Sequence, residues 1–289
     1  MTEFEAWIPP EALAHALDGP VRPVVLDVRF SLAEPAAGER AWRAARIPGA
    51  FHAHLERDLS GPHRPDAGRH PWPTEDDFRR QVAAWGITPA TPVVLYDDAD
   101  GALAAARAWY LLRLLGHGPV AVLDGGWKAW QAAGGPVDTG PAPRPRPAAG
   151  EAYPGRFAEG RLLDADAVGR HLAGGGVLVD ARAPERYRGD VEPIDPVGGH
   201  VPGARNRPFA ANLEHGRARP ARVLREAFES LADGHAPADM VVMCGSGVTA
   251  CHHLLAMAHA GLPLARLYAG SWSGWIEDPT RPIARGPAA

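Results

Sequence analysis

Short apolar runs alternate along this chain with longer stretches in which apolar residues return every three or four positions. The runs Val24 to Val28, Val93 to Tyr96 and Val120 to Leu123 lack polar alternation, which predicts strands buried on both faces. The segments between them carry helix punctuation. Thr74 with Asp77 forms a capping signal ahead of a helical stretch that Gly86 can close. Asp164 is placed to cap a helix running toward Leu172, and Gly261 ends the helix that follows Cys244. Strand and helix alternating on this rhythm predict an α/β fold, a parallel sheet with helices on both faces. Ligands bind such sheets beyond the carboxyl ends of the strands.

The pattern occurs twice. "VVLDVR" followed by "RIPGA" in the first half matches "VLVDAR" followed by "HVPGA" in the second. "PVVLYDDADGALAAARAW" matches "DMVVMCGSGVTACHHLLAM", and "VLDGGWKAW" matches "LYAGSWSGW". A single offset that drifts slowly across four matched segments points to a duplicated domain, with no array of short repeats. The reading is an N-terminal domain over 1–136 and a C-terminal domain over 157–289. Residues 137–156, rich in Pro and Gly and without periodicity, form a linker between them.

Composition narrows the function. With 46% hydrophobic and 22% charged residues in 289, each half has enough apolar material for its own core. A net charge of -4 gives no basic face, so nucleic acid and anionic membrane are poor partners. No apolar run reaches the length of a membrane span, and "MTEFEAWIPP" lacks the pattern of a signal peptide, so a cytoplasmic location is expected. The two cysteines, Cys244 and Cys251, make no disulfide framework.

Cys244 stands where an apolar strand hands over to a helix through "GSG". Gly245, Ser246 and Gly247 allow successive backbone N–H groups to converge on one point, and the helix N-terminus behind them adds partial positive charge. A thiol at that focus is favoured as its thiolate. Cys251, about two helical turns on, is expected in the core. The matched position in the first half is Asp97, which cannot serve as a soft nucleophile, so the first domain reads as inactive scaffold. A cysteine phosphatase would need an arginine six residues after the cysteine, and that residue is Ala250. Cys244, Cys251, His252 and His253 match no familiar zinc spacing, and neighbouring helical His side chains are expected to point apart, so no metal is expected.

The duplicated halves, the linker, "VPGA", "LYAGSWSGW" and above all "CGSGVTA" resemble the two-domain sulfurtransferases of the rhodanese family over nearly the whole chain. Gly245 and Ser246 after the cysteine resemble the 3-mercaptopyruvate branch, since the thiosulfate branch carries basic residues there. The resemblance implies that Cys244 takes a sulfur atom as a persulfide and passes it to a thiol, such as thioredoxin or a small thiol, or to cyanide, with no cofactor. It implies that Gly245, Gly247, Val248 and Thr249 line the site and that Arg186, before Tyr187, binds the anionic donor. Arg182 is expected to be structural, paired with Asp180 or a loop carbonyl. A second donor-binding arginine common in the branch is absent, because the chain reads Ile194 and Asp195, leaving Arg205 or Arg207 as substitutes. Ser246, His70 and an acid, Glu56 with Asp58 nearby, match the relay that protonates the leaving enolate. Thiosulfate as donor, and a sulfur-binding or regulatory module of low turnover, are the alternatives.

Overall fold

The computed structural model describes residues 6–143 and 152–287. They form two compact units, each with a five-stranded parallel sheet flanked by helices. The strands of the first are β1 (Trp7–Ile8), β2 (Val24–Asp27), β3 (Phe51–His52), β4 (Val93–Tyr96) and β5 (Val120–Leu123). They lie in the order β1-β5-β4-β2-β3. The second sheet, β6 (Leu162–Leu163), β7 (Leu178–Asp180), β8 (Arg205–Asn206), β9 (Val241–Met243) and β10 (Arg266–Tyr268), repeats the order as β6-β10-β9-β7-β8. Every pairing within the two sheets is parallel. The three runs expected as buried strands are strands, and every residue of β4 is buried completely. Among the described residues no helix is long and apolar enough to cross a membrane.

The helices of the first unit are α1 (Pro10–Asp18), α2 (Ala37–Ala44), α3 (Leu55–Asp58), α4 (Glu75–Ala84), α5 (Ala104–Leu114) and α6 (Gly126–Ala132). Those of the second are α7 (Ala165–Ala173), α8 (Pro184–Arg188), α9 (Ala221–Ala232), α10 (Ala250–His259) and α11 (Ser271–Trp275). The Thr74 hydroxyl accepts the Asp77 N–H at 3.2 Å, and the Asp164 carboxylate accepts the Ala167 N–H at 2.7 Å. Helix α10 is buried from Ala250 through Met257, so it is apolar all round where a surface helix would show one apolar stripe.

Two chain segments belong to the unit of the opposite half. Residues 61–72 pack in the second unit and 215–218 in the first. The first of these is held by close backbone approach. A Cβ on Gly68 would come within 2.4 Å of the Gly270 carbonyl, and one on Gly274 within 2.6 Å of the Asp66 carbonyl. Of the proposed linker, residues 144–151 lie outside the described residues. Its near flank is tied to the first unit by Arg46, whose Nη2 donates to Gly140 O at 2.7 Å and to Asp138 Oδ2 at 2.9 Å. Its far flank is tied there by Tyr153, whose hydroxyl lies 3.0 Å from His117 Nδ1.

One buried ion pair is built twice. Arg29 grips Asp27 through Nε and Nη2 and lies 4.8 Å over the Trp127 ring. Arg182 grips Asp180 in the same way and lies 4.6 Å over Trp272. Arg182 Nη2 also donates to Gly199 O at 2.6 Å, so it meets both its expected partners, the carboxylate and a loop carbonyl. The loops after β4 and β9 share an anchor. The Trp127 N–H donates to Asp97 O at 2.8 Å, and the Trp272 N–H to Cys244 O at 2.9 Å.

In the first unit the loop wraps around its own carboxylate. Asp97 accepts the N–H groups of Ala99, Gly101, Leu103 and Ala105 at 2.8 to 3.2 Å. Burial pushes this carboxyl up to about 6 against the pull of those four donors. Asp97→Ala would strand buried donors, so it should lower unfolding stability by about 2–4 kcal/mol. The raised pKa gives the sign of the pH dependence. Asp97 contributes most below its ordinary range and loses part of that contribution as pH rises through about 6. Urea unfolding of both proteins should therefore show their stability gap narrowing from about pH 4 to about pH 7. A constant gap would show that folding does not raise the pKa of Asp97.

Candidate active site

Cys244 follows β9, the middle strand of the second sheet, and is 1% exposed. The backbone around it is tied back on one side. Its own N–H donates to the Ser271 hydroxyl at 3.1 Å, and the Ser271 hydroxyl donates to Tyr268 O at 2.9 Å. The carbonyls of Cys244 and Gly245 each accept an N–H from α11, from Trp272 and Ser273, at 2.9 Å. Gly247 takes a left-handed conformation, with φ at 73°. The carbonyls of Gly247, Val248 and Thr249 accept from the Cys251 thiol and from the N–H groups of Cys251 and His252. Peptide N–H and C=O groups point in opposite directions, so this leaves the N–H groups to face the loop's inside. Among the described residues no protein acceptor takes the N–H of Gly245, Gly247, Val248 or Thr249. In the first unit the matching loop has its N–H groups taken by the Asp97 carboxylate, whereas here these four are left without a protein acceptor.

Ser271 reaches its place with φ at 53°, uncommon for a residue with a side chain. The matching residue in the first unit is Gly126, with φ at 56°. The turn is shared, and the second unit adds a hydroxyl that fixes the N–H of Cys244.

Ser246 is buried, and its Oγ lies 2.8 Å from Nδ1 of the buried His70. The two residues are 176 positions apart, and the 61–72 segment brings them together. Beside His70, the Arg69 N–H donates to Ser273 Oγ at 3.0 Å. The Arg69 side chain donates through Nη1 to Asp195 at 2.5 Å. Arg186 uses Nε and Nη2 on Glu192, with Nη2 also on Asp195 at 3.1 Å. The rest of both guanidinium groups converges on the nucleophile loop. A Cβ at Gly245 would lie 3.5 Å from Arg69 Nη2 and 3.7 Å from Nη1 and Nη2 of Arg186. A cavity of about 280 Å³ lies on the far side of Arg69 and Ser273, with the carboxylates of Asp195 and Glu277 and the ring of His63 in its lining.

The structure therefore brings Cys244, Ser246, His70, Arg186 and the loop residues together. Glu56 lies in the first unit, exposed in the first turn of α3. Asp58 Oδ2 accepts the His54 N–H at 2.7 Å and is paired with Arg57. The two suggested substitutes for the absent arginine have protein partners elsewhere in the second unit. Arg205 is bonded to Asp233 and to Leu231 O, and Arg207 to Asn212 and to Ala211 O. Both side chains are drawn toward α9 and the segment before it. The cation beside Arg186 is Arg69. Its only sequence signal was its place next to His70 in "GRHPWP".

The expectation that His252 and His253 point apart is also corrected. Both Nδ1 atoms sit by one amide, Asn212 Nδ2, at 3.2 and 2.8 Å, and His253 Nε2 lies 2.9 Å from Arg207 O. Burial pushes both imidazoles down to about 3, so they are neutral parts of the core near pH 7. Cys251 is buried as expected, with its thiol 3.3 Å from Gly247 O.

Comparison with known proteins identifies the family. The rhodanese-like domain family matches residues 9–133 and again 164–278. The chain belongs to this family and carries its domain twice. A probable 3-mercaptopyruvate sulfurtransferase of Pseudomonas aeruginosa is 48% identical over 91% of this chain and 92% of its own. A putative thiosulfate sulfurtransferase of Mycobacterium tuberculosis is 41% identical over 91% of each. Among solved structures, 3-mercaptopyruvate sulfurtransferase from Leishmania major superposes with a TM-score of 0.80 at 29% identity, covering 93% of this chain and 73% of the other. Sulfurtransferase is the class these relatives share, and the chain is an enzyme of that class.

If Arg69 is the second cation, Arg69→Ala should raise KM for an anionic sulfur donor by about tenfold to a hundredfold, the loss of one charge-assisted contact. Arg205→Ala should leave KM unchanged. Steady-state kinetics on both variants checks the pair, and the reverse ranking would restore Arg205.

Proposed function

We propose that this enzyme moves sulfur from 3-mercaptopyruvate, through a Cys244 persulfide, to an acceptor thiol. The observation that carries the reading is the 2.8 Å contact between Ser246 and His70 beside the nucleophile loop. The Cys244 thiolate attacks the donor sulfur. The carbon–sulfur bond breaks, and its electron pair stays on carbon as the enolate of pyruvate. Ser246 delivers a proton to that carbon and is resupplied through His70. The N–H groups of the loop hold the charge of the thiolate before transfer and of the persulfide after it. An acceptor thiolate then attacks the outer sulfur and restores Cys244, so turnover is ping-pong. Arg69 and Arg186, both close to Gly245, hold the donor carboxylate.

Thiosulfate is the second reading. The M. tuberculosis relative carries that name, and two arginines at the mouth of the loop would receive any small oxyanion. The donors differ in one respect. Thiosulfate leaves as sulfite and needs no proton on carbon.

Incubation with donor and no acceptor should raise the intact mass by one sulfur atom, in Cys251→Ser as in the parent, but not in Cys244→Ser. A gain in Cys244→Ser would move the nucleophile elsewhere. Ser246→Ala and His70→Ala should each slow the mercaptopyruvate reaction by about 10²–10⁴-fold and the thiosulfate reaction far less. Glu56→Gln, the carboxylate that the family resemblance assigns to the relay, should act in the same direction but more weakly. Equal losses with both donors would make Ser246 and His70 shapers of the loop and not proton carriers.

A further inference from the structure

The second unit has another cavity, at the end of its sheet away from Cys244. It measures about 560 Å³ and is lined by Arg161, Arg170, His171, His235, Asp239 and Arg266. Arg161 stands just before β6, Asp239 shortly before β9, and Arg266 opens β10. These are the amino ends of strands whose carboxyl ends carry the active site. Five basic side chains and one carboxylate surround the space.

The arginines here are held differently from those at the front. Arg69, Arg182 and Arg186 are each paired with a carboxylate. Arg161 is tied to neutral groups, the carbonyls of Leu264 and Ala265 at 2.6 and 3.0 Å. Arg266 Nη2 donates to Asp239 O at 2.9 Å and to His171 Nδ1 at 3.2 Å. His171 is oriented for that contact by its Nε2, 3.1 Å from Val177 O. Among the described residues none of Arg161, Arg170 and Arg266 forms an ion pair. Carbonyl partners fix a guanidinium in place without cancelling its charge, so two rigid cations and an exposed third face one concave space. Each anchored arginine uses Nη2, which leaves its Nε–H and its Nη1 hydrogens as separate single donors for an oxyanion.

We propose that this cavity binds a small multivalent oxyanion of the phosphate-ester class, separate from the sulfur donor site. The volume admits a ligand the size of a phosphorylated metabolite. Pyrophosphate is the probe, titrated calorimetrically into the full-length protein. Saturable binding is expected. Arg170→Glu and His235→Glu, both at exposed positions where folding is not at stake, should each weaken it by about tenfold or more. Arg186→Ala should leave it unchanged, because that residue serves the front site. No saturable heat would overturn the proposal. Equal affinity in the parent and both charge reversals would overturn it too, as would a loss confined to Arg186→Ala. If the parent gives no heat with pyrophosphate but binds vesicles containing an anionic lipid, the surface is a membrane contact and the small-ligand site is wrong.

Discussion

The site depends on a constraint of the peptide group. A loop can turn its N–H groups inward only if its carbonyls are accepted outside. Here the Cys244 and Gly245 carbonyls are accepted by the first N–H groups of α11, and Ser271 fixes the N–H of Cys244 itself. Helix α11 is held in turn. The Trp272 ring lies under the Arg182 guanidinium and donates Nε1–H to Val197 O, and Trp275 donates to Pro282 O. Arg182 is fixed by Asp180 at the end of β7. A buried pair of this kind is costly to break from one side, by about 3–5 kcal/mol. The orientation of the nucleophile's surroundings thus runs back to one ion pair in the floor of the sheet.

The duplication shows the same device with two fillings. In the first unit the nest closes on Asp97, so four donors are satisfied internally and the loop is finished as structure. In the second unit Cys244 stands at that place, and among the described residues no protein acceptor takes the N–H groups of Gly245, Gly247, Val248 or Thr249. On a common frame, one unit carries an aspartate after the middle strand and the other a cysteine. The turn before the following helix varies in parallel, with Gly126 in the first unit and the Ser271 hydroxyl in the second.

Much of this was legible along the chain because it is local. Buried strands appear as unbroken apolar runs, and Thr74 and Asp164 cap helices that start within three residues of them. The loop at Cys244 is written in its glycines. Two-residue strands such as β3 and β8 carry too few side chains for a period to show. Arg69 was overlooked because its role depends on Asp195, 126 positions away, and no local pattern distinguishes it from a solvated arginine. His252 and His253 misled for the reverse reason. Helical geometry separates neighbouring side chains, but a single amide lies near both rings once the chain is folded. The exchange of residues 61–72 has no sequence signal at all, since it rests on glycines thin enough for two backbones to touch.

That exchange bears on when the enzyme first becomes reactive. The contacts of His70 and Arg69 with Ser246 and Ser273 span 176 and 204 positions, and the glycines that seat the segment face residues 270 and 274. Contacts of such separation are among the slowest to close, because the intervening chain must be ordered first. A growing polypeptide exposes the 61–72 stretch long before its docking surface exists. The second unit is therefore completed last, by the final tenth of the chain, and a C-terminal half produced alone would hold Cys244 without His70 or Arg69.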